Sequence, residues 1–346
     1  MLAGIAASLG AAPAAASSDL SRAYVRARVL AMNGDHSSAA ELLATLRAAG
    51  SEAAELKVRT LGEALGAGRM DIALRTARSL PPGDLAADAR LLLVAEAMKR
   101  GKSDEALAGL GVKGESGDLL YLDPVVRAWT LAERGQAAPA LAALGEIPGN
   151  GLLSPFRDEQ MAFILLKLKQ PVEAEPFARR AVGSAGPREV RMRLILADGF
   201  LAAGDQARAD IMLEGMPGDG EQAARLLRGG RQLGVRIDNG RQAMSETIAT
   251  LAADVARRQR GSLPIGLVQV ARYFDPANSS ATALLAILHE TRDRHDEALA
   301  LLATVPADDP LISQIRDLQV QILSETGRFD AAMKLAGPAA AAANAS

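Results

Sequence analysis

The chain contains no cysteine. Disulfides, thiolate metal sites, iron–sulfur clusters and cysteine nucleophiles are therefore excluded, and the redox compartment is left open. Histidine is nearly as scarce. Only His36, His289 and His295 are present, and His289 and His295 stand six apart, whereas a zinc pair on one helix face needs i, i+4. Both read as solvated turn residues. Aromatics make up 3% of the 346 residues, and the formal net charge is −2. A chain so nearly neutral has no long-range field to gather nucleic acid or anionic lipid, and no nucleic acid partner is expected. No apolar run reaches the roughly 18 residues of a membrane span, so no transmembrane segment is expected. Lysine is also rare, at seven (Lys57, Lys99, Lys102, Lys113, Lys167, Lys169 and Lys334) among 39 basic residues. That arginine bias fits high-GC coding and a bacterial source.

Catalytic signatures are missing as well. Gly66-Ala67-Gly68 lacks the third glycine of a dinucleotide loop and follows no strand pattern. There is no G-x-S-x-G and no phosphate loop ending in Gly-Lys-Ser or Gly-Lys-Thr. No catalytic residue, metal site or cofactor is expected.

What is abundant is small and aliphatic: hydrophobic residues form 49% of the chain, with 32 glycines and 16 prolines between them. They recur in a pattern. A turn residue is followed five positions later by alanine at Gly34/Ala39, Gly68/Ala73, Gly101/Ala106, Gly135/Ala140, Lys169/Ala174, Gly204/Ala209, Asp238/Ala243, Asp293/Ala298 and Gly327/Ala332. The alanines are spaced 34, 33, 34, 34, 35, 34, 55 and 34 apart, and six of the nine turn residues are glycine. Twelve positions before each alanine the residue is mostly small (Ala27, Leu61, Val94, Ala128, Ala162, Ala197, Ala286, Val320). Four after it, in eight of the nine units, stands leucine or alanine, and eight after it, in four units, comes Pro81, Pro148, Pro217 or Pro306.

Each column has a physical reason. Glycine takes positive φ and closes a first helix, and an acidic or hydroxyl residue beside it can cap the second. Facing small residues let two helices approach to about 8–10 Å. Proline pushes its predecessor out of helical geometry, so Leu80, Ile147, Met216 and Val305 should end their helices or lie just outside. A two-helix unit cannot bury its own apolar face and must stack on its neighbours. The spacing thus predicts an all-α solenoid of nine or ten helix-turn-helix hairpins, in which residues 100 positions apart do not meet.

A 34-residue hairpin with small residues at these places resembles the tetratricopeptide repeat family, over about Ser21 to Ala336, which implies a right-handed superhelix. The large aromatic early in the first helix and the late proline of that family are mostly absent here, so the second helix should stop early; helical repeats of 35 to 36 residues are the neighbouring alternative. The 55-residue step is 34 plus 21. It predicts an odd helix between Glu221 and Gly261, a unit around Ala243 reduced to one helix, and a new hairpin with Leu251, Ala252 and Val255 before Pro264 and Ala271, with a change of superhelical path. The expected organisation is a signal-like or disordered arm (1–18), about six hairpins (19–220), an irregular region (221–261), further repeats (262–337) and a low-complexity tail (338–346). The small residues Pro13-Ala14-Ala15-Ala16 behind a short apolar stretch are of the kind signal peptidase accepts, so a periplasmic or exported location is expected, with a cytoplasmic one as the alternative.

In proteins that the chain resembles, the first-helix face eleven and fifteen residues before each alanine lines a concave groove. Here that face carries Tyr24, Arg28, Trp129, Phe163 and Asp198, read as the candidate partner-binding residues. Large aromatics dominate interfaces, but Trp129 and Phe163 could equally fill space between consecutive helices. The lysine and asparagine with which part of the family grips carboxylate termini are absent. Arg225, Arg228, Arg231, Arg236, Arg241 and Arg257-Arg258 read as a solvated basic face. The function expected is a non-enzymatic scaffold binding a protein or peptide in the groove. A spacer or assembly module of an envelope secretion or polysaccharide machine is one alternative, and a hydrolase with groove-lining carboxylates another.

Overall fold

The computed structural model describes residues 14–49, 53–112, 118–216, 219–258 and 265–343. Of the arm expected over 1–18, the part before Ala14 lies outside them, and 14–18 form the start of a helix. Every regular element among the described residues is helical, and the chain divides into two compact units, Met1–Leu85 and Ala86–Ser346.

In the first unit α1 (Ala14–Met32) pairs with α2 (His36–Ala48), and α3 (Ala54–Gly66) with α4 (Met70–Ala77); α2 also packs on α3. The second unit opens with four hairpins: α5 (Ala87–Lys99) with α6 (Ser103–Leu110), α7 (Asp123–Glu133) with α8 (Ala137–Gly145), α9 (Arg157–Lys167) with α10 (Pro171–Ser184), and α11 (Glu189–Ala202) with α12 (Gln206–Leu213). A single helix follows, α13 (Asp219–Arg228). Three more hairpins complete the unit: α14 (Gly240–Arg258) with α15 (Ile265–Phe274), α16 (Ser279–Glu290) with α17 (His295–Leu302), and α18 (Ile312–Glu325) with α19 (Phe329–Ala343). The tail expected from residue 338 is therefore helical to Ala343.

The turns follow from local chemistry. Eight of the nine turn residues have positive φ, and the two that are not glycine, Lys169 (56°) and Asp293 (58°), are the only non-glycine residues with positive φ among those described. At each, the turn residue's N–H bonds three residues back and the next N–H five back, as in Gly34 to Ala31 and Asp35 to Leu30. This double bond satisfies carbonyls that the helix end would leave open. Capping of the second helix is less uniform: the Asp35 and Asp205 side chains accept from Ser38 and Arg208 N–H at 3.0 Å, while Arg69, Lys102, Gln136, Gln170 and Arg294 supply no such cap. All nine anchoring alanines are buried. The second helices α4, α8, α12 and α17 end two or three residues before Leu80, Ile147, Met216 and Val305.

The exception among the turns is Asp238, and there the sequence reading needs correction. Ala243, Leu251, Ala252 and Val255 do not belong to two units; all lie in the single 19-residue helix α14. The odd helix is α13, closed by Gly230 at φ 79°. The stack also fails to remain one-dimensional in the second unit. There α15 packs on α5, and α14 packs on α5 and α7. The Tyr273 hydroxyl donates to Glu96 at 2.6 Å across 177 positions, and the Gly240 N–H to Glu133 at 2.9 Å across 107. Nearest-neighbour stacking leaves an apolar inner face uncovered, and here the chain's own α14–α15 hairpin covers it.

Candidate functional site

The face proposed to bind a partner can be followed through the hairpins. On α5, α7, α9 and α11 it carries Leu91, Ala95, Val125, Trp129, Glu159, Phe163, Leu194 and Asp198, all buried. Trp129 is fully inaccessible and Phe163 is 2% exposed, so neither lines an open groove. A Cβ added to Gly240, the first residue of α14, would stand 2.9 Å from the Trp129 Cβ. The indole Nε1 donates to Gln160 Oε1 at 2.6 Å, and Gln160 Nε2 donates to Thr247 on α14 at 3.3 Å. A buried tryptophan needs such a partner for its N–H, and here the partner is held in turn by the covering helix.

Charges are sealed in the same layer. Arg191 grips Glu246 through three hydrogen bonds of 2.9–3.1 Å, and Asn278 Nδ2 donates to Ser245 Oγ and Glu246 Oε2. Burial alone would raise the Glu246 carboxyl, but the charge and hydrogen bonds of Arg191, with Arg188 and Asn278, hold it below the ordinary range. Glu159 accepts two bonds from Arg188, at 2.6 and 3.2 Å, yet burial pushes its carboxyl up, and the nearby Glu246 charge adds to the push. These two inward carboxylates each face an arginine, which ties them into structure rather than leaving a free acid/base pair.

Asp198 is buried, with Arg236 NH1 3.9 Å away; burial raises its carboxyl, the Arg236 charge opposes that and Asp238 adds to it. Beside it a cavity of about 400 Å³ remains, lined by Phe163, Lys167, Lys169, Gly199, Arg236 and Asp238 among others. It is what the covering segment leaves of the groove between α9 and α11. In the first unit the same face is open. Tyr24 is half-buried against the cluster of Ala27, Leu43, Leu46 and Leu56, with the Arg59 guanidinium 5.9 Å from its ring centroid, and Arg28 is exposed. Beyond the covered stretch the face opens again, with Ile287 on α16 and Gln321 on α18 exposed.

One smaller reading changes: His289 is buried within α16 rather than solvated in a turn. In the basic stretch Arg225, Arg228, Arg231 and Arg257 are exposed, and four of its arginines pair with acids: Arg228 with Asp210, Arg231 with Asp308, Arg236 with Asp238 and Arg257 with Asp254. Among the described residues no group of His, Asp and Glu is placed to hold a metal, and no helix is long and apolar enough to cross a membrane.

Hairpins of 34 residues closed by left-handed turns make the fold a tetratricopeptide-like all-α repeat. No family model matches the chain, and no curated protein matches it. Among solved structures it is similar to a structure of Naa15/Naa10 bound to HypK-THB, at 13% identity and a TM-score of 0.33, covering 91% of this chain and 57% of that one. It is also similar to the TPR domain of P58(IPK), at 14% identity and a TM-score of 0.27, covering 93% of this chain and 99% of that one. The chain thus spans little more than half the length of the first of these.

Proposed function

We propose that the protein is a non-enzymatic scaffold that recognises other proteins outside the stretch its own chain has filled. The observation that carries this reading is the burial contrast along one register. The first-helix face is sealed on α5, α7, α9 and α11 and exposed at Arg28, Ile287 and Gln321. Exposed repeat faces with scattered apolar residues are where such folds offer several weak contacts and a few anchors. Within this reading Trp129 and Phe163 act as packing, and Tyr24 with Arg28 remain on a surface that a partner can reach. A photo-crosslinking side chain placed at Arg28, Ile287 or Gln321 of the full chain, irradiated in the native cell, is expected to give discrete adducts with a protein. Adducts equally frequent from Arg179 on the outer surface of α10, or none at all, would remove the proposal.

The sealed layer also favours a second reading, an assembly or spacer module, because a filled unit is stiffer than an open superhelix. A location in the bacterial envelope is proposed for either role, on the small residues Pro13-Ala14-Ala15-Ala16 behind an apolar stretch, and fractionation of the native cell tests it: recovery in the cytosol would remove it.

A further inference from the structure

The helix α1 carries an uncovered ridge. Val25, Val29 and Met32, at i, i+4 and i+7, are 60%, 48% and 78% exposed. Spacing of this kind puts them on one helix face. At the register positions of Val25 and Val29 the later first helices are less open: Leu92, Val126 and Ile195, which match Val25, and Ile164, Leu288 and Ile322, which match Val29, are buried and the other matches are buried or half-buried, while the position of Met32 is half-buried or exposed throughout.

What covers those positions is informative. Gln160, which matches Val25, is bonded to Trp129 on the first helix of the preceding hairpin. Gly199, which matches Val29, lies so close to that helix's counterpart in its own surroundings that an added Cβ would stand 2.8 Å from Leu166 on α9. On α9 and α11, then, the positions that match Val25 and Val29 face the first helix of the preceding hairpin. The flanks of α1 add a sign. Its described residues include Arg22, Arg26 and Arg28 against one acid, Asp19, which pairs with Arg22; Arg26 and Arg28 have no ion-pair partner among the described residues.

We propose that the α1 ridge docks an amphipathic α-helix of a partner protein, with an apolar i, i+4 ridge flanked by Asp or Glu. The inference rests on the scaffold reading and specifies its partner. A second copy of the chain is a poorer occupant, because two α1 helices side by side would oppose like charges. An anionic membrane is poorer too: the ridge has no Trp or Phe of the kind that anchors an interfacial helix, and the positions matching Val25 and Val29 on α9 and α11 are covered by protein.

The test uses the full chain and a labelled synthetic helix of roughly 20 residues, long enough to span a small domain, with Leu at i, i+4 and i+7 and Glu on its flanks. Fluorescence anisotropy is expected to show binding at least tenfold tighter than to the same helix with Lys flanks. Val29→Asp and, independently, Met32→Glu should abolish it while circular dichroism stays unchanged, since both side chains are exposed. Arg26→Glu with Arg28→Glu should reverse the preference toward the Lys helix. Equal binding of the two helices, indifference to Val29→Asp, binding only to phosphatidylglycerol vesicles, or self-association in sedimentation that Val29→Asp abolishes would each overturn the proposal. Failure here alongside crosslinks at Ile287 and Gln321 would leave the scaffold standing and sink only the docking assignment.

Discussion

Arg191 and Glu246 stand 55 positions apart, and the guanidinium holds both carboxylate oxygens, with side chains only 11% and 4% exposed. This pair ties α11 to α14 within the layer that covers the inner face. Removing one partner strands a buried charge, so Arg191→Ala should cost about 3–5 kcal/mol, whereas replacing both residues with methionine should cost far less. Urea midpoints check both. Because the folded Glu246 carboxyl is held below its ordinary range, its stabilisation is complete above that range and is lost as pH falls through the folded value. Glu246→Gln should therefore flatten the acid limb of the stability profile.

Trp129 is the only tryptophan and is fully buried under Gly240. Trp129→Ala and Phe163→Ala should each destabilise by about 3–5 kcal/mol through lost packing, and together should unfold the second unit. If the double variant instead kept its helical signal and melting temperature, the packing role would be wrong and an anchoring role restored. In the parent protein, indole emission should be blue-shifted and should report the unfolding of the second unit.

Two backbone positions should respond in opposite directions. Lys169 holds the left-handed conformation at φ 56°, which costs a side-chain-bearing residue about 1–2 kcal/mol. Lys169→Gly should recover part of that, offset by the greater freedom of the unfolded chain, for a net gain of about 0.5 kcal/mol. Gly240→Ala should lose about 1–3 kcal/mol by overpacking against Trp129. Denaturant midpoints with unchanged slopes are the readout.

The hairpin periodicity was legible because it is local. Turn, anchoring alanine and small facing residue all lie within one 34-residue window, and even Lys169 and Asp293 adopt the conformation that the glycine column demanded. The covering of the inner face was not legible. Its inward residues on α14 include Ser245, Glu246 and Thr247, which a hydrophobic pattern assigns to solvent, and the partners of Glu246 and Thr247 lie on the distant helices α11 and α9. Only the 55-residue step hinted at it, and that step could not say where the extra chain would go. Arg28 and Tyr24 stayed accessible while Trp129, in the same register, did not, because only the stretch from α5 to α11 receives the cover.

Asp88 offers a test of the α5–α15 contact. An added Cβ at Gly266 would stand 2.1 Å from its Oδ2, and burial raises the carboxyl, with only the N–H groups of Ala89 and Asp88 opposing. A carboxyl with a raised folded value makes the protein most stable below the ordinary range and progressively less so as pH rises through the raised value. Asp88→Asn should therefore raise the melting temperature at neutral pH and lose that advantage in acid. Parallel melting curves for the two proteins across that range would refute this account.

The covering of the inner face by α14 bears on how such a chain can change its length. In an open array a unit can be duplicated or dropped and its neighbours simply close ranks. In the second unit one long helix is keyed at once to α5, α7, α9 and α11, so adding or deleting a hairpin there would throw every one of those fittings out of step. The tally of hairpins between α5 and α15 is frozen by a helix that lies outside their own period.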